Sequence, residues 1–160
     1  DNTESLATVR RVPNEPGMAA KVFTLLAEAG VNVDMIVQAS ASTGTADISF
    51  TVPGSAAAKV RDVLQEKQDE LGYQSFDIDA NVGKVAVVGV GMKTHSGLAA
   101  KFFNALSDEG VNVLMISTSE IRIAALVPLE QLQDAVRALH TAYGLDAEQV
   151  EAVVYGGTGR

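Results

Sequence analysis

The 160-residue sequence is 47% apolar and 20% charged, which is ample material for packed cores and too few charges for global disorder. It has no cysteine, so disulfide frameworks, thiolate metal sites and thiol nucleophiles are excluded. Twelve Lys and Arg against twenty Asp and Glu leave a formal charge of -8, and no basic stripe interleaved with aromatics offsets it, so nucleic acid is not an expected partner. No apolar run is long enough to span a bilayer and no signal segment is recognisable, so no membrane partner is expected and the expected location is cytoplasmic.

Taken in chain order, Asp1–Ser5 reads as a frayed tail, and 6–12, a β-branched run, as a strand. A turn, Pro13-Asn14-Glu15-Pro16-Gly17, leads into a helix whose apolar positions Ala20, Phe23, Leu26 and Ala27 recur at helical spacing. Gly30 stands where a C-terminal glycine cap belongs. Strands are predicted over 32–40 and 46–52, a helix opened by Pro53 over 55–70, and a closing strand over 74–79. The set then repeats: a strand over 84–90, a helix from Gly97 ended by Gly110, strands over 112–119 and 120–127, a helix opened by Pro128 over 129–142, and a strand over 150–155. Gly156–Arg160 reads as a second tail. The repetition is literal. Twelve of twenty residues from Gly17 to Ile36 recur from Gly97 to Ile116 at a constant offset of eighty, and after a short insertion in the first copy, around Ala41–Thr45, Val52-Pro53 matches Val127-Pro128. The chain is therefore a duplication of one βαββαβ unit. The expected class is α+β: two tandem ferredoxin-like units, over 6–80 and 81–156, each an antiparallel four-stranded sheet with helices on one face. Order alone leaves open whether the last strand completes the second sheet or the first.

Catalytic signatures are missing. His95 and His140 are the only histidines, and no metal-ligand cluster, nucleophile elbow or P-loop accompanies them, so no catalytic residue, metal or cofactor is expected. Gly89-Val-Gly91 follows a strand, but its third glycine is wrongly spaced for a dinucleotide fingerprint. Glu28 and Asp108, late on amphipathic helices, read as solvent-facing charges. What remains is the strand–turn–helix junction, present twice, at Pro13–Gly17 and Lys93–Gly97. A glycine at a helix start admits a ligand to the backbone, and first-turn N–H groups are unpaired donors at a positive dipole end, suited to a small carboxylate. The plainer reading is a tight turn with Asn14 as helix cap. Each first helix also ends in Gly-Val-Asn-Val, which places Asn32 and Asn112 at a strand start; asparagine is a poor strand former, but its amide offers donors and an acceptor to a zwitterion.

The pattern Pro-Gly-x-Ala-Ala-Lys-x-Phe followed by Gly-Val-Asn-Val-x-Met-Ile resembles ACT domains. Val85–Gly91, Met92–Gly97 and Met115–Ile123, with the ending Glu151–Arg160, are similar to the regulatory region, or separate β subunit, of aspartate kinases. That resemblance covers nearly the whole chain. It implies feedback control by lysine, threonine or both at ACT–ACT interfaces, a homodimer, and a catalytic aspartate kinase subunit or domain, the ATP-dependent chemistry lying outside these residues. Carried over by position, the effector loop is Asn14, Glu15, Pro16, Gly17, Met18 and Ala19. Gln38 lies on the second strand, and Asn112 and Val113 of the other unit complete a pocket often shared by two chains. The sequence departs from the family at Asn14, where Asp is common, and at Ala39, Ser96 and Ala99. These departures keep a second reading in play, an assembly module of the kinase with weakened or lost effector binding.

Overall fold

The computed structural model describes residues 4–89, 97–119 and 121–144, and the backbone of 152–156. The described chain divides into two compact units, one ending at Ala80 and the other starting at Asn81. The first unit contains β1 (Glu4–Pro13), α1 (Met18–Glu28), β2 (Ile36–Ser40), β3 (Thr45–Pro53), α2 (Ala57–Glu66), the one-turn α3 (Gln68–Leu71) and the start of β4 (Ser75–Gly89). Its strands lie in the order β2-β3-β1-β4, and β3 runs antiparallel to both neighbours, with Ile36 opposite Phe50 and Ala7 opposite the same residue. Val22 and Leu26 of α1 and Val60 and Leu64 of α2 pack with Ala7, Val9, Ile48, Phe50 and Val52 of the sheet, so both helices cover one face.

The second unit repeats this plan with the rest of β4, α4 (Leu98–Asp108), β5 (Met115–Thr118), β6 (Arg122–Pro128), α5 (Leu132–Tyr143) and β7 (Ala152–Gly156). Its order is β5-β6-β4, and β7 pairs antiparallel with β4 from Val85 to Gly89, so the final strand joins this unit's sheet. Phe102, Leu106, Ala135 and Leu139 fill the core between α4, α5 and the strands.

Several boundaries differ from the sequence expectation, each for a physical reason. The closing strand of the first unit and the opening strand of the second are one strand, β4. Gly83, between the two predicted strands, is a close-approach position: a Cβ there would lie 2.9 Å from Leu132 Cδ2. Pro53 and Pro128 end strands rather than start helices. Both have extended ψ, 146 and 140, and a turn of 3₁₀ helix intervenes before α2 and α5. The predicted helix over 55–70 is divided at Lys67 into α2 and α3. The strands predicted from 32 and 112 begin only at Ile36 and Met115, so Asn32 and Asn112 precede them. The Gly-Val pairs account for the delay. Gly30 and Gly110 are left-handed, with φ 81 and 72, and their N–H groups reach back to Ala27 and Ser107. The next residues, Val31 and Val111, donate to the carbonyls of Leu26 and Leu106. This is the paired closure that ends a helix with a buried hydrophobic anchor.

The repeated Ala-Ala-Lys has an equally local explanation. Lys21 reaches Glu70 on α3 at 4.0 Å, and Lys101 lies 4.9 Å from the ring centre of Tyr143 on α5. In both copies the charge of this lysine meets a later helical segment of its own unit. Tyr143, only 5% exposed, donates its hydroxyl to the Leu98 carbonyl at 2.8 Å, and burial pushes its phenol up to about 12. Tyr73 does the same toward the Leu64 carbonyl at 2.6 Å, with its phenol also raised by burial.

One residue of β1 is strained. The register shifts between Val9 and Val12, and Arg11, in the bulge, has φ 58 while its N–H donates to Asp47 Oδ1 at 3.0 Å. A left-handed conformation costs a non-glycine residue about 1–2 kcal/mol. At the same place in the second copy, eighty residues on, the sequence has Gly91. Arg11→Gly is therefore expected to raise stability by up to about 1 kcal/mol after the entropy lost by glycine is counted. Urea unfolding measures this, and a variant less stable than the parent would show that the bulge carries no strain.

Candidate ligand site at the first strand–helix junction

The loop from Pro13 to Gly17 is fastened at several points. Asn14 N–H donates to the Gly44 carbonyl at 3.0 Å, and Met18 N–H donates to the Glu15 carbonyl at 3.1 Å. Gly17 then takes φ 92, a conformation that favours glycine, and α1 begins. The first intrahelical bond runs from Lys21 N–H to the Gly17 carbonyl, so helix geometry leaves the Ala19 and Ala20 N–H groups ahead of any acceptor. No side chain caps this helix start. The expectation that Asn14 serves as a cap is thus corrected. Its side chain turns to β2, where Nδ2 donates to Ser40 Oγ at 3.2 Å and Oδ1 accepts from Gln38 Nε2 at 3.5 Å.

Together these elements line a hollow of about 110 Å³. Asn14, Glu15, Gly17, Met18, Ala19 and Gln38 all face it, over a floor of Val12, Ala46 and Ile48. Pro16 is next to it without lining it. The polar wall is a neutral amide pair, and Glu15 is the one carboxylate among the lining residues. The hollow is well below the roughly 300 Å³ at which ligand pockets usually begin, so by itself it is part of a site.

Asn112 and Val113 belong to the second unit. Both are exposed, Val113 by 37%. The Asn112 N–H donates to Gln131 Oε1 at 2.9 Å, while Gln131 Nε2 donates to the Gly110 carbonyl. The second junction's Lys93–Ser96, including His95, lies outside the described residues, as does Gly91. Gly97 is described, and its φ of -91 is one that any residue adopts. His140 is half-buried on α5 rather than fully at the surface, whereas Glu28 and Asp108 are exposed as expected. No group of three or more His, Cys, Asp or Glu that would hold a metal occurs among the described residues. Nor, among them, is any helix long and apolar enough to cross a membrane.

Ser40 and Gly44 were not singled out from the sequence. Ser40 was detectable in principle, because it follows Gln38 by two positions on a strand and so shares its face. Gly44 was not, because its role is played by a backbone carbonyl at a hairpin tip.

The ACT domain family model matches the chain twice, at residues 10–68 and 85–143, once within each of the two units described above. The chain belongs to the ACT-domain family of aspartokinase regulatory regions. Aspartokinase of Corynebacterium glutamicum is 46% identical over the whole chain, and that of Pseudomonas aeruginosa 42% identical over 90% of it. The chain spans only 38% and 35% of the length of these two curated relatives. Among solved structures, one of aspartokinase alpha and beta subunits matches with a TM-score of 0.84 and 43% identity, covering 91% of this chain and 95% of that one. The ligand-free regulatory subunit of aspartate kinase from Thermus thermophilus matches with a TM-score of 0.83 and 36% identity, covering 89% of this chain and 94% of that subunit. Tandem ACT units of this kind have allosteric regulation as their general role.

Proposed function

We propose that the chain senses lysine, threonine or both at the first junction and transmits their binding to an aspartate kinase catalytic part that lies outside these residues. The observation that carries this reading is the uncapped start of α1 behind the left-handed Gly17, facing Asn14 and Gln38 across the hollow. Backbone N–H groups there suit the effector's carboxylate, and the amide oxygens suit its ammonium. Because the hollow is too small for a whole amino acid, Asn112 and Val113 of a second copy complete the site in this proposal. Bare apolar edges support such a homodimer. Ile36 and Val37 on β2 are 51% and 38% exposed, and Leu114 and Ile116 around β5 are 40% and 46% exposed. Binding that closes this interface would bias the catalytic part by roughly 1–3 kcal/mol.

Titration calorimetry of the chain with lysine and with threonine, paired with sedimentation analysis, tests the proposal. Saturable heat with one of them is the expected result. A dimer that gives no heat with either, and whose melting temperature neither shifts, would leave the second reading, an assembly module. The bare apolar edges favour that reading equally.

A further inference from the structure

We infer that Gln131, a residue of the second unit that no motif singles out, is a positioning residue that holds Asn112 where it meets the ligand. The inference rests on the effector reading above, in which Asn112 and Val113 of a second copy complete the hollow. Both residues are exposed, so their side chains gain no fixed place from packing. What places them is the main chain that carries them.

On either side of the pair the chain is pinned by main-chain bonds. Val111 N–H donates to the Leu106 carbonyl at 3.0 Å, and Leu114 N–H donates to the Leu126 carbonyl at 2.7 Å. Between those two points Gln131 holds the segment. Its Oε1 accepts from the Asn112 N–H at 2.9 Å, and its Nε2 donates to the Gly110 carbonyl at 3.1 Å. This amide has one orientation. A main-chain N–H only donates and a carbonyl only accepts, so turning Gln131 over would set oxygen against oxygen and N–H against N–H. The clamp also stands on firm ground: Gln131 is half-buried, ends the 3₁₀ turn that follows Pro128, and adjoins the core residue Leu132. The first copy has Ala56 at the matching place, as far from Pro53 as Gln131 is from Pro128. Alanine has no polar side-chain atom, so Asn32 is not clamped from there. The copy whose asparagine the proposed site uses is thus the copy that has the clamp. A ligand that engages Asn112 finds the segment already ordered. Without the Gln131 amide, residues 112 and 113 take several arrangements, and Kd rises in inverse proportion to the fraction that fits the ligand.

The test is calorimetry on the 160-residue chain, Gln131→Met, Asn112→Ala and the double variant, with lysine and threonine titrated separately. Methionine keeps the length of the stem and removes both hydrogen bonds. For whichever amino acid the parent binds, Gln131→Met should raise Kd about threefold to tenfold. Its melting temperature should stay within about 4 °C of the parent. In the Asn112→Ala background the same change should raise Kd by less than about twofold, because its effect passes through the Asn112 side chain. Parent-like binding by Gln131→Met overturns the inference. So does a loss accompanied by a larger fall in melting temperature, or one repeated in full in the Asn112→Ala background. A parent that binds neither amino acid sinks the effector reading separately. In that case, or if Asn112→Ala binds too weakly to measure, hydrogen exchange in the ligand-free chain decides the positioning claim. An Asn112 N–H protected in the parent and freely exchanging in Gln131→Met upholds it, and equal exchange in the two overturns it.

Discussion

Gly17→Val is expected to weaken amino-acid binding by more than about tenfold and to lower stability by about 1–3 kcal/mol. At φ 92 the backbone lies where a β-branched side chain is a severe outlier. No steric clash contributes, since a Cβ at Gly17 meets nothing within 4 Å. The whole effect comes from the main chain, which must rotate toward negative φ and carry the Ala19 and Ala20 amides away from the hollow. Gly97→Val is the matched control. That residue opens α4 with φ -91, and a Cβ there also meets nothing within 4 Å, so its replacement carries no left-handed strain and should cost about 1 kcal/mol or less, the loss of a fair cap residue. Calorimetry and urea unfolding of the two variants measure the contrast. Equal binding by parent and Gly17→Val would show that the backbone at this helix start is not the receptor.

Phe102→Ala is expected to destabilise the second unit by about 3–5 kcal/mol. The side chain is wholly buried, in a core shared with Leu106, Ala135 and Leu139. Comparison of the two copies shows how its volume is accommodated. The first copy has Val22 at the position of Phe102 and Val60 at the position of Ala135, two medium side chains in place of one large and one small. Both arrangements fill a core at similar density. Phe102→Val with Ala135→Val should therefore recover part of the stability lost by Phe102→Val alone. Denaturant unfolding of the three variants checks this, and simple additivity of the two changes would show that the positions do not share a space.

Much of the fold could be read from the sequence because it is written twice. Helical spacing of Phe23 and Leu26, the glycine stops, and the offset of eighty together define two βαββαβ units, although the buried face of α1 is centred on Val22 and Leu26 while Ala20 and Ala27 of the expected stripe are exposed. The boundaries were harder. Residues 80–83 fall between the two predicted strands, yet all belong to β4, and Gly83 there answers to a close approach by Leu132 that local sequence does not reveal. The Gly-Val-Asn-Val ending of each first helix placed Asn32 and Asn112 at a strand start. Tertiary closure at Val31 and Val111 uses those valines as helix-end anchors instead. The site shows the same division. The loop and Gln38 follow from motif and position, whereas the Asn14–Ser40 bond depends on the partner that a side chain finds across a hairpin, which no local pattern encodes.

The two buried tyrosines have a practical consequence. The chain contains no tryptophan and only three tyrosines, so its near-ultraviolet emission comes from very few rings. Tyr73 belongs to the first unit and Tyr143 to the second, each with its hydroxyl donated to a main-chain oxygen. The protein thus carries a native optical reporter in each half. Replacing Tyr73 by phenylalanine leaves tyrosine only in the second half, and replacing Tyr143 and Tyr155 together leaves it only in the first, so a melting curve read by tyrosine fluorescence then follows one half without any added label.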